Sequence, residues 1–429
     1  MSNLVQPIQS STLKRAFPRT EFIVVLSSVA LQLVLGWFFG HAYDIRIFMA
    51  TGYQVASGNT PYIIPDLRDV FHNPSFIGLP SIGYPPPYPL LLGLIYLVTY
   101  APFQNFLLYN LSIKIPVIIA NILLAYLVRD ILKNQGANQK IQRNAWLFML
   151  FNPFLFYFTV AWGQFDSLLA LLTLISLVFL TQKKLALSSL LLALAISLKP
   201  TPLPVMLAAV LYLWEPPWRR LLIYFVTFTA GVLVFCVLPF FIFGWDASPI
   251  LHGWNNQFTV SGGMSLTTLY ELTAGTYTLP GAWWLLGMLW LPALLIGMAF
   301  MRRGDHGFIS LLKNSLVLIL IFFLTRTWLS EQNLALILPM VLILVALDQL
   351  PILTLYAVLI LPLIFTVFNT SPAQLLFPIL PGLMNKLLQF SDTFRLERLW
   401  ARMLVVIPWQ VAGWWMVIHC MKKEKSGLA

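Results

Sequence analysis

The sequence predicts an all-α, polytopic integral membrane protein with about 12–13 transmembrane helices, on three observations. Apolar windows near the roughly 18–20 residues that cross a bilayer recur along the whole chain, at 22–39, 221–243, 282–301, 334–347 and 352–368 among others. Hydrophobic residues make up 59% of the chain and charged ones only 10%, so no polar block remains for a soluble domain. The few charges also sort by side, because every other polar gap is basic.

Taken in order, the chain begins with a tail over 1–19 that carries Lys14, Arg15 and Arg19. The first apolar window lacks a small-residue cleavage site and is long enough to span, which makes it an anchor and not a signal peptide. A large outer loop follows at 41–87, and its 44–57 part has Ile45, Phe48, Met49 and Tyr53 at helical spacing, as in a helix lying at the interface. Between that loop and the basic gap at Arg129, Lys133, Lys140 and Arg143 the number of crossings must be odd, yet two apolar stretches lie there, 88–101 and 104–128. The first is short and follows Tyr-Pro-Pro-Pro-Tyr-Pro at 84–89. Proline removes backbone donors, and backbone that does not span survives in a membrane only under protein cover. Residues 88–101 are therefore expected to form a short or re-entrant helix, leaving about twelve full crossings.

From residue 129 onward the alternation is regular. Helices are expected over 144–160, 166–181, 184–198, 201–214, 221–243, 282–300, 312–328, 332–347, 351–368 and 402–420. The basic gaps among them are Lys183/Lys184, Arg219/Arg220, Arg302/Arg303/Lys313 and Lys422/Lys423/Lys425. A basic excess marks the cytoplasmic face, which puts both termini inside. The net charge of +11 thus sets orientation and attracts anionic membrane lipids; it does not argue for nucleic acid. One membrane domain spans 20–420, with a second outer loop at 244–281 and a short inner tail at 421–429. Segment 369–400 reads as interfacial and amphipathic, and Cys236 and Cys420 as apolar residues within helices.

The gaps left outside hold the candidate chemistry. Asp44 follows the first helix in His-Ala-Tyr-Asp-Ile-Arg at 41–46, where it either acts as a general base on a hydroxyl or pairs with Arg46. Asp166 closes Trp-Gly-Gln-Phe-Asp at 162–166, where Pro153 upstream permits a kink and Gly163 a tight turn. It can cap the following helix, or join Gln164 in binding a sugar hydroxyl or orienting a partner. Lys199 sits at a proline turn, Leu-Lys-Pro-Thr-Pro, and either holds a lipid phosphate or snorkels. Arg326 stands near Glu331, Gln332 and Asn333, either to grip phosphate oxygens with its two-pronged fork or to pair with Glu331. Lys114, within an apolar run, is functional or bonds neighbouring carbonyls. His41, His72 and His252 show no metal spacing, and neither a zinc-protease helix motif nor a Gly-rich phosphate loop occurs, so no metal or other cofactor is expected.

The ordered set of motifs resembles the GT-C superfamily of membrane glycosyltransferases. It comprises Tyr43-Asp44-Ile45-Arg46, Gly58-Asn59-Thr60-Pro61-Tyr62, Tyr-Pro-Pro-Pro-Tyr-Pro at 84–89, Asn152-Pro153, Gly163-Gln164-Phe165-Asp166-Ser167, Lys199-Pro200 and Ser330-Glu331-Gln332-Asn333. It is most similar to glycosyltransferase family 87, the polyprenyl-phosphate mannosyltransferases, and is also similar to GPI mannosyltransferase I over 20–345. The resemblance implies inverting transfer of a hexose, mannose, from a polyprenyl-phosphate sugar to a lipid or glycan acceptor on the extracytoplasmic face of the cell membrane. It implies Asp44 as the base; His41, Arg46, Gln164, Asp166, Lys199, Arg326, Glu331, Gln332 and Asn333 are the residues expected to bind substrate, with Lys199 and Arg326 on the phosphate. GPI mannosyltransferase I carries Asp-x-Asp where this chain has Asp44-Ile45-Arg46, which speaks against a metal role here. A lipid-linked glycan flippase or transporter is the alternative class, but it predicts symmetric halves and no internal repeat is visible. A glycan ligase would use a similar outer-face set of Arg and Lys, and only its donor would separate it.

Overall fold

A computed structural model describes residues 19–256, 259–301 and 307–422. Lys14, Arg15, Arg302, Arg303, Lys423 and Lys425, which contribute to three of the basic gaps, lie outside the described residues. The chain is an all-α, multi-pass membrane protein. Six described helices are long and apolar enough to cross a bilayer: α1 (Arg19–Phe38), Phe106–Asn134, Gln139–Ala161, Arg219–Phe243, Phe308–Thr325 and Arg395–Met421. Seven shorter apolar helices lie between them in the sequence, among them Pro87–Phe103, Asp166–Thr181 and Leu185–Leu198. Burial separates their roles. Only 11% of the Arg219–Phe243 window is buried against 67% of Phe308–Thr325, so the first faces lipid and the second is central.

The helix expected at 144–160 is broken where proline foretold a kink. Gln139–Leu150 ends at Phe151, and Asn152 restarts the chain by accepting from the backbone N–H groups of Phe154 and Leu155 at 3.0 and 3.2 Å. Pro153 fills the first helical position, where its missing N–H costs nothing. The next turn, Phe156–Ala161, widens to a π-helix, a form that recurs at functional sites.

The C-terminus of α1 leaves carbonyls that no intrahelical donor reaches. Asn110 Nδ2 donates to the carbonyls of Gly36, Trp37 and Phe39 at 2.8, 3.1 and 3.0 Å. Lys114 Nζ donates to Gly36 O at 3.1 Å, to Phe39 O and to Asn110 Oδ1 at 3.0 Å. Lys114 is fully buried, and of its two readings the carbonyl-bonding one is observed. This clasp sets the direction in which the chain enters α2 (Ala42–Ala56).

Apolar spacing foretold α2, but this helix does not simply rest on lipid. Ile45, Phe48 and Met49 are buried, and so are Thr51 and Gln54. The cover is Pro87–Val98, which lies along α2. At 12 residues Pro87–Val98 rises only about 18 Å, well short of the roughly 30 Å apolar core. It is short, as the prolines required; Tyr88, Leu92 and Ile95 are buried against protein, and Leu94, Leu97 and Val98 are exposed.

Helix bounds in the second half differ from expectation, and the expected 282–300 helix is broken between Gly287 and Trp290. The helix expected to run to 328 stops at Thr325, and the C-terminal helix begins at Arg395 instead of 402. The stop at Thr325 has a cause in the loop 244–281. Its strand β1 (Gly262–Gly263) pairs in parallel with β2 (Trp328–Leu329). Ser265 Oγ and Thr267 Oγ1 add hydrogen bonds of 2.5 Å to the carbonyls of Arg326 and Thr327. The chain after Thr325 is extended because the loop claims its backbone groups.

Candidate active site

Asp44 lies in the first turn of α2, three residues after the helix cap His41. Its Oδ2 accepts from Trp162 Nε1 at 2.6 Å, and His41 Nδ1 lies 3.2 Å from the same oxygen. The His41 ring stacks on Trp162, with centroids 3.9 Å apart and planes 9° from parallel. A backbone bond from His41 N to Trp162 O, 3.1 Å long, ties the same two segments. Arg46 does not take the place of these partners: its guanidinium donates to Ala42 O at 2.6 Å and to Ser75 O at 2.7 Å, pinning the loop around Ser75 to α2. Burial pushes the Asp44 carboxyl up, but contact with His41, Trp162 and Gln164 outweighs it and holds the group below the usual carboxylate range. Asp44 is therefore ionised at neutral pH. It forms part of the wall of a cavity of about 340 Å³, whose other lining residues include Tyr43, Phe48, Tyr84 and Ile250.

Beyond Tyr84 lies a buried ion pair. Lys199 Nζ donates to Asp166 Oδ1 at 2.7 Å, with side-chain exposures of 9% and 0%, which rules out a lysine snorkelling to water. Lys199 Nζ is also 5.8 Å from the ring centres of both Tyr84 and Phe165. Asp166 is the first residue of its helix, whose cap position is Phe165 without a side-chain cap bond. Its side chain thus serves Lys199, and Oδ2 is buried with no partner among the described residues.

Further polar atoms are likewise buried without hydrogen-bond partners among the described residues: both amide atoms of Gln164, Ser167 Oγ, Thr201 Oγ1, Gln332 Oε1 and Asn333 Oδ1. Leaving such groups unpaired costs about 1–3 kcal/mol each, and groups of this kind suit a polyhydroxylated ligand. Glu331 is buried and meets Asn369 Nδ2 at 3.5 Å. The Arg326 guanidinium lies over Phe322, 5.0 Å from the ring centre. Among the described residues no cluster of three or more metal-ligating side chains forms.

The backbone that delivers these groups is specific. Gly163 has φ +102°, and a Cβ there would come 3.2 Å from Lys114 Cε, so glycine is needed to turn from the π-helix into Gln164. Trp162 was not singled out from the sequence, although it belongs to the Trp-Gly-Gln-Phe-Asp motif, and the same holds for Tyr84 in the proline-rich motif. Their signal was position beside a charged motif residue, obscured by an abundance of aromatics, which form 14% of the chain.

The sequence model of glycosyltransferase family 87 matches residues 83–325. That stretch holds Tyr84, Trp162, Gln164, Asp166 and Lys199; it begins after Asp44 and ends just before Arg326. No curated protein matches the chain.

Proposed function

The chain belongs to glycosyltransferase family 87, and from that premise we propose that it transfers a hexose, mannose, from a polyprenyl-phosphate donor to a lipid or glycan acceptor. The reaction takes place at the extracytoplasmic face of the cell membrane, with both termini inside, and it inverts the anomeric centre. The observation that carries this reading is an ionised carboxylate, Asp44, on the wall of a cavity that shares Tyr84 with a buried cation, Lys199.

The acceptor hydroxyl oxygen attacks the anomeric carbon from the side opposite the phosphate. The bond from that carbon to the phosphate oxygen breaks, its electron pair stays on the departing polyprenyl phosphate, and the hydroxyl proton passes to Asp44. Cations must meet the charge that develops on the leaving phosphate. Lys199 and Arg326 take that role, with Asp166 holding the ammonium in place. Gln164, Gln332 and Asn333 offer buried amide groups to sugar hydroxyls. His41 and Arg46 fix the Asp44 helix, and Glu331 with Asn369 supports the 330–333 turn.

Purified protein given radiolabelled polyprenyl-phosphate mannose and a lipid extract of its host is expected to form a labelled glycolipid, and a nucleotide sugar is expected to yield none. Transfer of a whole oligosaccharide from a lipid pyrophosphate would instead make the protein a ligase.

A further inference from the structure

We propose that Trp162 is a positioning residue that selects one oxygen of Asp44, Oδ1, as the atom that receives the proton; the proposal rests on Asp44 being the base. Both groups that approach the carboxylate closest, the indole N–H of Trp162 at 2.6 Å and His41 Nδ1 at 3.2 Å, meet the same atom, Oδ2. Neither of them meets Oδ1; Gln164, the third group beside the carboxylate, forms no hydrogen bond through either amide atom, and Asp44 lines the cavity. An indole nitrogen can donate but cannot accept. It therefore holds Oδ2 most strongly while that atom is unprotonated, and its bond weakens if Oδ2 takes a proton. The proton from the acceptor is thereby directed to Oδ1.

The indole is itself held by the backbone. Trp162 N donates to Tyr157 O at 2.8 Å across the π-turn, and Gly163 reverses the chain immediately after it. The ring sits between the His41 stack and Phe158, whose centroid is 5.7 Å away. A wide turn at this point converts a membrane helix into a fixed bracket for a carboxylate on a different segment. The other charged or titratable groups around Asp44 are His41, Tyr43 and Arg46 from its own segment, Tyr84 and Tyr88 from the proline-rich stretch, Asp166 from its helix and Glu331. All of them remain when only the indole N–H is removed.

The test uses the full chain in detergent and two substitutions. Trp162→Phe keeps an aromatic ring under His41 and deletes the donor, whereas Trp162→His keeps a flat ring with a donor. Carboxyl-13C titration, with the Asp44 signal assigned by Asp44→Asn, reads the base without any substrate. The expected result for Trp162→Phe is an upward move of the Asp44 midpoint, because a bond that favoured the charged form is gone. The acidic limb of kcat moves up with it, and kcat at neutral pH falls about tenfold to a hundredfold, because a carboxylate no longer held in one orientation is misplaced toward the acceptor hydroxyl. KM for polyprenyl-phosphate mannose stays unchanged, and Trp162→His moves the midpoint back toward the parent. An Asp44 midpoint equal to the parent's in folded Trp162→Phe overturns the proposal. If Trp162→Phe does not fold, a midpoint in Trp162→His near the parent's supports it and one displaced upward overturns it. Should the parent fail to use this donor, the proposed reaction fails, but the carboxyl titration still decides the role of Trp162.

Discussion

At the scale of single residues, the charges that a membrane protein keeps away from water are the informative ones. Lys199 and Asp166 form such a pair, and breaking it leaves one charge buried without compensation. Lys199→Met is expected to cost about 3–5 kcal/mol of stability, and Lys199→Met/Asp166→Asn to recover most of it; denaturation in detergent measures both. Transfer should be lost in the double variant as well, since the phosphate cation is gone. For Asp44 the sign follows from its depressed carboxyl: the charged form is retained as pH falls past the ordinary aspartate value of about 4. The acidic limb of the pH–rate profile should lie below that value, and stability from the Asp44 contacts should be present above it and lost only under stronger acid. Asp44, Asp166 and Lys199 were legible in the sequence because ionisable residues at the edges of apolar windows are scarce. Their arrangement was not. Asp166 meets Lys199 across a full helical hairpin, and Asp44 meets Trp162 118 residues away. Pairing over such distances leaves no periodic trace.

At the scale of elements, legibility follows composition. The bounds of the helix Asp166–Thr181 are legible in the sequence, since a run interrupted only by Ser and Thr lies between two polar gaps. The Phe156–Ala161 turn has the composition of any membrane helix, and nothing in its residues distinguishes a π from an α turn. The β1–β2 pair is two residues on each side, too short for an alternation to appear. It nevertheless ends the Phe308–Thr325 helix and sets where Arg326 stands. Gly263 has φ +61°, and a Cβ there would lie 2.1 Å from Leu329 O. Gly263→Ala should therefore force the outer loop away from β2, at a cost of about 1–3 kcal/mol. A lower melting temperature and a raised KM for the donor are expected, with kcat at saturation changed less; steady-state kinetics across donor concentration gives the split.

At the scale of the whole molecule, sparse charge specified a multi-pass architecture, and the alternation of basic gaps is the basis of the proposed sidedness. The number of long spans is smaller than the number of apolar windows because several helices are short and buried by neighbours, as Pro87–Val98 is by α2. Sidedness has a direct check, since the chain has only two cysteines. In a background lacking both, Ser81→Cys should react with a membrane-impermeant maleimide added to intact cells. Gln182→Cys, beside Lys183 and Lys184, should react only after permeabilisation. The reverse pattern would put the cavity at Asp44 on the cytoplasmic side. In the proposed reaction one carboxylate does the chemistry, from a site assembled out of α2, the Trp162 turn and the Asp166–Lys199 pair. The most direct measurement is single-turnover transfer from labelled polyprenyl-phosphate mannose by Asp44→Asn beside the parent, with folding checked by melting temperature. Loss of about 100- to 10,000-fold in rate with an unchanged melting temperature is predicted for removal of a general base; transfer at the parental rate by a folded Asp44→Asn protein would contradict it.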